Sequence, residues 1–481
     1  MASIKTNFLY SSILTSANYI FPLITYPYVS RVLGVTNIGI CNFVDSIINY
    51  FVLFSMMGVT IAGIREVARN KGDKEELNRV FSALFWLNTI TTTIALFMLV
   101  GITLFVDQLR GHWQLMLIGA LKLVMSYLLI EWLYRGLEEF RFITIRTLAI
   151  RALFVMSVFL FVRQANDYPI YYLLCALMIS GNAVLNLWYS RRFVSLKLHR
   201  LEISTMIKPY FVLGVYSLLT STYTSLNVTY LGFVAGETEV GYYSTASKLY
   251  FIFIAFFTAF TNVMLPRMST LLSEGKIDEF KSLLRRSNNV LFTFSIPFII
   301  LTVIYAPIII RIIAGEGYEG AILPMQILMP LILIIGYEQI IIVQGLTPLK
   351  MDKAILINSI IGASMGIILN IVLVPTYKSV GSSIVWLSCE ICVLVSAQFF
   401  INKALLASFP WKHMLRNITQ NIPLLILLLV LYRWDNGVVS LLLASILLCM
   451  YTFVFNTYII KNTEFVSLYH LAYKRILTFL K

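Results

Sequence analysis

Long, nearly charge-free apolar runs recur from one end of this sequence to the other, and they leave few choices of fold. A helix of about 20 residues rises to about 30 Å, the thickness of a hydrocarbon core. Fourteen segments qualify as candidate spans: 9–30, 38–63, 80–106, 113–134, 143–163, 169–189, 210–234, 241–265, 288–310, 321–345, 354–376, 381–402, 418–433 and 437–460. The thirteenth is short and the tenth and eleventh are weakly separated, so the expected range is twelve to fourteen transmembrane helices. Of the 481 residues 59% are hydrophobic and only 12% charged, more apolar surface than a soluble domain needs. The connections are too short for an extra-membrane domain. The expected fold is therefore all-α and polytopic.

A net charge of +14 invites comparison with nucleic-acid binders, but the placement of the cations argues against that partner. With the N-terminus inside, 28 of the 37 Lys and Arg fall on inward segments and six on outward ones. Lys122, Arg151 and Lys248 fall within spans. This bias predicts that both termini are cytoplasmic. It also predicts that the basic loops lie against anionic headgroups of the bilayer. The first span is too long and too polar at its start for a cleavable signal. The tail 461–481 spaces apolar and basic residues as an interfacial amphipathic helix does. Five cysteines give no disulfide framework, and the C-x-x-C of Cys389 and Cys392 sits inside a span, a poor place for redox exchange.

The chain echoes itself. GIREVARNKGDKEELNRVF (63–81) and PRMSTLLSEGKIDEFKSLL (266–284) follow spans two and eight, and Gly72, Glu75 and Glu76 meet Gly275, Asp278 and Glu279. Gly39 meets Gly241, each opening a helix with one ionisable residue, Asp45 or Lys248. Six spans per half keep both halves in the same orientation. The expected plan is a parallel pseudo-repeat around a central lumen. It comprises an N-terminal six-helix lobe (1–190), a basic cytoplasmic linker (191–209) and a second six-helix lobe (210–402). Two additional helices (403–460) and the tail (461–481) complete it.

Helical periodicity says which side chains such a lumen would collect. Lys248 shares a face with Gly241, Ser244, Ala255, Ala259 and Asn262. Tyr216, Thr220, Tyr223, Asn227 and Tyr230 line up on span seven; Asn42, Asp45 and Asn49 on span two; Ser11, Thr15, Asn18, Pro22 and Thr25 on span one. Lipid offers polar groups no partners, so these stripes face protein or water. Helix–helix packing is the plainer explanation of any single stripe, and snorkelling to the outer interface is the alternative for Lys248. Four stripes with bulky or charged members point to a hydrated lumen. Lys122 and Arg151 are candidates to add to its charge, and Asp45 to pair with a cation or carry a proton. Pro22 and Pro27 remove ladder hydrogen bonds from span one, which makes it a candidate bending gate, with Arg31 at its outer end.

FPLITYPYVSRVLG (21–34), GIREVARNKGDKEEL (63–77), EWLYRGLEEFRFITIR (131–146), GYYSTASKLY (241–250), NVMLPRMS (262–269) and NIVLVPTYKSVGSSIVWLSCE (370–390) together resemble Wzx-type lipid-linked oligosaccharide flippases. That family belongs to the superfamily that includes the multidrug antiporters and lipid II flippases. Glu131 replaces the aspartate often found before the tryptophan, which keeps the charge. The resemblance covers most of the chain and is loose over the last two spans. It implies transport of an oligosaccharide on undecaprenyl diphosphate to the outer leaflet of the bacterial cytoplasmic membrane. It also implies alternating access driven by an H⁺ or Na⁺ gradient, no cofactor, and a polymerase and chain-length regulator as neighbours. Lys248 would meet the diphosphate, and the span-seven tyrosines suit sugar rings.

Three further acidic residues stand in or near spans. Glu131 and Glu338 lie near the inner ends of theirs, where interfacial solvation is expected, and Glu131 is also a candidate for ion coupling. Glu390 lies within span twelve and matches an acidic position of the family, so structural pairing or ion coupling is its expected role. AGEGYEG (314–320) contains G-x-G-x-x-G, but without a βαβ context and with Glu316 and Glu319 facing any phosphate. The four histidines lack metal-ligand spacing. Two other functions compete: a drug or small-molecule antiporter of the same superfamily, and a membrane polymerase or glycosyltransferase. The latter would need catalytic carboxylates on a sizeable outer loop, and the outward loops here are about ten residues or fewer.

Overall fold

The computed structural model describes residues 4–56, 58–196, 214, 221, 226–405, 407–435 and 437–459. Tyr216, Tyr223, most of the linker 191–209 and the tail 461–481 lie outside these described residues. Among the described residues no strand occurs; the regular structure is α-helix with short 3₁₀ and π segments. Eleven helices are long and apolar enough to cross a membrane. Two of them are each a pair of helices joined at a break. Gly34 (φ 75°, ψ 170°) interrupts Ile4–Met56, and Lys378 (φ 51°, ψ −126°) interrupts Asp352–Leu405. The shorter apolar helix Leu226–Ala235 falls in the seventh expected span, so each of the fourteen has a helical counterpart.

Pro22 and Pro27 sit inside the first helix, Pro22 exposed and Pro27 half-buried, and the non-helical dihedrals fall at Gly34. Gly34 can hold a positive φ without a Cβ clash. Arg31 anchors this turn by donating from Nη1 to the Pro27 carbonyl at 2.6 Å.

The chain packs as two compact units, residues 1–244 with 369–382, and residues 245–368 with 383–481. In the first, span two ends at Met56, earlier than expected. Gly58, in the left-handed region (φ 76°), redirects the chain into the amphipathic helix Val59–Asn70. Asp73 then caps Lys74–Phe105, its Oδ1 accepting from the Glu75 and Glu76 amides at 2.9 and 3.2 Å. Val59–Asn70 packs on Glu131–Gly136 around Trp132, Leu133, Val67 and Leu84, all buried. Gly63 makes this possible: a Cβ there would stand 3.0 Å from the Trp132 ring.

In the second unit Leu291 and Phe292 on Ile277–Ile304 are buried, as is Trp386 on Asp352–Leu405, and Tyr305 is buried against Tyr432 and Ser440. The helix Leu331–Gln339 does not end at its last residue but continues as a π segment, Ile340–Leu346. The two C-terminal helices bury little: Leu424 and Leu428 on Ile422–Trp434, and Ser440, Ala444 and Thr452 on Val438–Val454. Their remaining apolar surface suits lipid.

Candidate functional site

Intramembrane ionisable groups mark function unless they are paired off for structure, so each was traced to its partners. In the first unit Asp45, Lys122 and Asn49 come together. Lys122 Nζ forms an ion pair with Asp45 Oδ1, the Tyr172 hydroxyl donates to the same oxygen at 3.2 Å, and Asn49 Nδ2 donates to Oδ2 at 3.2 Å. The pair is formed by Trp113–Tyr127 lying close against span two. A Cβ on Gly119, one turn before Lys122, would sit 2.5 Å from Ile48 Cδ1. The ammonium is nearly closed off, at 12% exposure, while the carboxylate keeps 32%. The arrangement neutralises both charges yet leaves one carboxylate edge accessible. Asn42, one turn ahead of Asp45, is half-buried.

Arg151 and Asn18 also meet, Arg151 Nη2 donating to Asn18 Oδ1 at 2.5 Å, with Asn18 exposed. Asn227, expected on an open stripe, is fully buried. Its Oδ1 accepts from Asn370 Nδ2 at 2.7 Å, and its Nδ2 donates to the Tyr243 hydroxyl at 3.3 Å and the Ser382 carbonyl at 3.5 Å. Helix-to-helix contact is tightest at Gly39 and Gly241. A Cβ on Gly39 would lie 1.8 Å from the Glu237 carbonyl oxygen, and one on Gly241 would lie 2.2 Å from that of Val35.

The largest polar network was not foreseen. Arg146, assigned by the charge count to the cytoplasmic side, has 3% side-chain exposure. It pairs with Glu131 Oε1 at 3.0 Å and also reaches Asn186 Oδ1, the Asn182 carbonyl and Thr147 Oγ1. Asn186 in turn donates to the Leu129 carbonyl and accepts, through its own carbonyl, from the Tyr134 hydroxyl. Glu131 also accepts from Arg135 at 3.2 Å. Glu131 is thus held by two guanidinium groups. Glu131 and Arg146 lie on separate helices, Glu131–Gly136 and Phe140–Phe161, so periodicity within one helix could not pair them.

In the second unit Lys248 is half-buried within 243–250, where each of the other residues is buried. Two residues on, Tyr250 packs edge-on against Trp386 with ring centroids 5.1 Å apart. The Trp386 indole donates to Glu390 Oε1 at 2.9 Å. Glu390 and Glu338 are 3% and 8% exposed and lie within electrostatic reach of each other. Glu338 therefore does not sit in interfacial water as expected. Its helix runs on as the π segment to Leu346, one residue beyond the expected end of the span, so its burial comes from packing and not from a longer span. Glu338 Oε2 has no hydrogen-bond partner among the described residues.

Two broken long helices, paired intramembrane charges and a carboxyl pair in the second unit belong to a multi-pass helical membrane protein. The comparisons agree. A lipid II flippase, MurJ in an inward closed conformation, superimposes with a TM-score of 0.78 over 94% of this chain and 100% of that one, at 15% identity. A multidrug MATE transporter in its inward-facing conformation gives 0.63 over 80% and 94%, again at 15% identity. At that identity the likeness establishes the fold. The family model for polysaccharide biosynthesis proteins matches residues 4–272, so the chain belongs to that family. A candidate O-antigen transporter of Escherichia coli (strain K12) is 24% identical over 401 residues, covering 82% of this chain and 95% of that protein. One from Shigella dysenteriae is 24% identical over 396 residues, covering 81% and 98%. The Wzx-type resemblance read from the sequence holds, and these relatives are named as transporters rather than enzymes.

Proposed function

We propose that this protein carries an oligosaccharide linked to undecaprenyl diphosphate from the cytoplasmic to the outer leaflet of the bacterial inner membrane, for surface polysaccharide assembly. The observation that carries this reading is that a chain with the fold of a lipid II flippase holds a half-buried lysine, Lys248, inside a span. An ammonium there is a compact point charge for a diphosphate. The names of the curated relatives support the same cargo class. Arg151 and Asn18 offer further donors, and the acyl chain of the carrier remains in lipid.

The transport cycle is alternating access between two six-span halves of a parallel repeat, with both termini cytoplasmic. Support for the repeat comes from contacts between equivalent residues, Thr36 with Thr238 and Gly39 with Gly241. A gradient of H⁺ or Na⁺ drives the cycle through the intramembrane carboxyls, the half-buried Asp45 in one unit and the buried Glu390 and Glu338 in the other. A carboxyl away from water binds a cation or proton in one state and releases it in another, which couples ion flow to conformation. A polymerase and a chain-length regulator take the delivered unit.

Reconstitution into liposomes tests this directly. Lipid-linked glycans added to one leaflet are scored for arrival at the other, with and without pH or sodium gradients. Gradient-dependent arrival supports the proposal. Extrusion of cationic dyes with no glycan movement would instead identify a drug antiporter.

A further inference from the structure

We propose that the second unit holds a binding pocket for the phosphate headgroup of an anionic phospholipid, separate from the transport path. It lies where Ile277–Ile304 begins and where the chain turns into the helix Trp411–Gln420. A cavity of about 720 Å³ opens there, lined by Lys281, Arg285, Lys412 and His413 against a single carboxylate, Asp278. The family model stops at residue 272, before any of these residues.

The cavity is built rather than collapsed. Tyr337 donates to Gln398 Oε1 at 2.7 Å, and Gln398 Nε2 donates to the Ala407 carbonyl at 2.7 Å, which pins the turn. The Phe409 ring stands 4.9 Å from Tyr337 and 4.5 Å from Trp411, forming one wall. Asn288 also lines it, and its buried Oδ1 has no partner among the described residues. Turning that amide over presents two donors to an anion instead. Preformed cations around a concave site are what a phosphate needs.

A lipid, rather than a soluble phosphate, is favoured by the helix beside the pocket. Trp411, Leu415 and Ile418, at positions i, i+4 and i+7, are 60%, 53% and 41% exposed, one uncovered apolar stripe. Lys412 and Arg416 are exposed beside it. That is the pattern of a helix lying in the membrane interface, apolar face in the acyl boundary. It sets lipid tails next to the cavity and their headgroups at its mouth. Naming the cytoplasmic leaflet rests on the proposed orientation; the phosphate chemistry does not.

The test uses full-length protein in detergent and native mass spectrometry, with phosphatidylglycerol, phosphatidylcholine or inorganic phosphate added. Each cation near an anionic lipid contributes about fivefold in affinity. The wild type is expected to retain phosphatidylglycerol at least tenfold over phosphatidylcholine. Lys281→Gln/Lys412→Gln should lose most of that preference, and Lys412→Gln alone, at an exposed site that leaves folding intact, should lose about fivefold. Lys276→Gln, outside the cavity, should change nothing. Equal retention of the two lipids by wild type, an unchanged preference in the variants, or displacement of phosphatidylglycerol by millimolar phosphate overturns the proposal. None of these readouts depends on glycan transport.

Discussion

The hydroxyls of Thr36 and Thr238 meet at 2.9 Å, and their positions in the chain differ by 202. Gly39 and Gly241 differ by the same number, and the Gly241 amide nitrogen lies 3.0 Å from where a Cβ on Gly39 would stand. Two helices that open the same way in sequence therefore cross at corresponding points. The parallel repeat proposed above predicts contact of this kind between equivalent residues.

This crossing predicts a sharp steric limit. Gly39→Leu forces backbone apart, because the obstacle is a carbonyl rather than a flexible side chain. Overpacking of this kind costs about 1–3 kcal/mol. Thermal unfolding in detergent should show a clear loss for Gly39→Leu and none for Gly72→Ala, where nothing lies within 4 Å of the added carbon. Equal midpoints for both would refute the close crossing.

The Asp45–Lys122 pair should behave as a unit. Removing one member strands the other charge, at a cost of about 3–5 kcal/mol, so Lys122→Ala should lower stability more than Asp45→Asn/Lys122→Ala together. A double-mutant cycle on unfolding midpoints measures the coupling. Additive effects would mean that the ion pair contributes nothing.

Arg146 is expected to be structural. Arg146→Gln leaves Glu131 with its exposed partner Arg135 and breaks the links to Asn186, so folded yield should fall severalfold. Arg146→Lys cannot make the forked contacts and should rescue only in part. Size-exclusion profiles report this without any transport assay. A monodisperse, normally stable Arg146→Gln protein would contradict it.

For Lys248 the expected loss is functional. Lys248→Ala should reduce glycan delivery at least tenfold while insertion and folding stay normal, and Lys248→Arg should keep part of the rate. Wild-type surface polysaccharide in the alanine variant would remove this residue from the cargo site.

Ion coupling should reside in the carboxyls. Glu390→Gln keeps the Trp386 contact to an oxygen but holds no exchangeable charge, so delivery should become insensitive to an imposed pH or sodium gradient. An undiminished gradient response in Glu390→Gln and in Asp45→Asn would exclude both groups.

The spans were legible because the bilayer imposes one length and one polarity on each, whatever its neighbours. The helical stripes rightly brought Asp45 and Asn49 to one place, since residues four apart share a face. Periodicity within one helix says nothing of its partner, which is why Tyr172 was missed and Arg146 was misplaced. The same limit hid the approach of Glu338 to Glu390, which lie on different helices. The break at Gly34 was not read from the sequence, because a lone glycine inside an apolar run announces no particular dihedral.

The Asp45–Lys122 pair joins residues 77 apart. At about 5–20 residues per second of synthesis, span two emerges some 4–15 seconds before its counter-ion exists. During that interval a carboxylate must be sheltered by the insertion machinery, by a proton or by a neighbouring helix. During synthesis the second helix thus carries its carboxylate for seconds before Lys122 arrives to neutralise it.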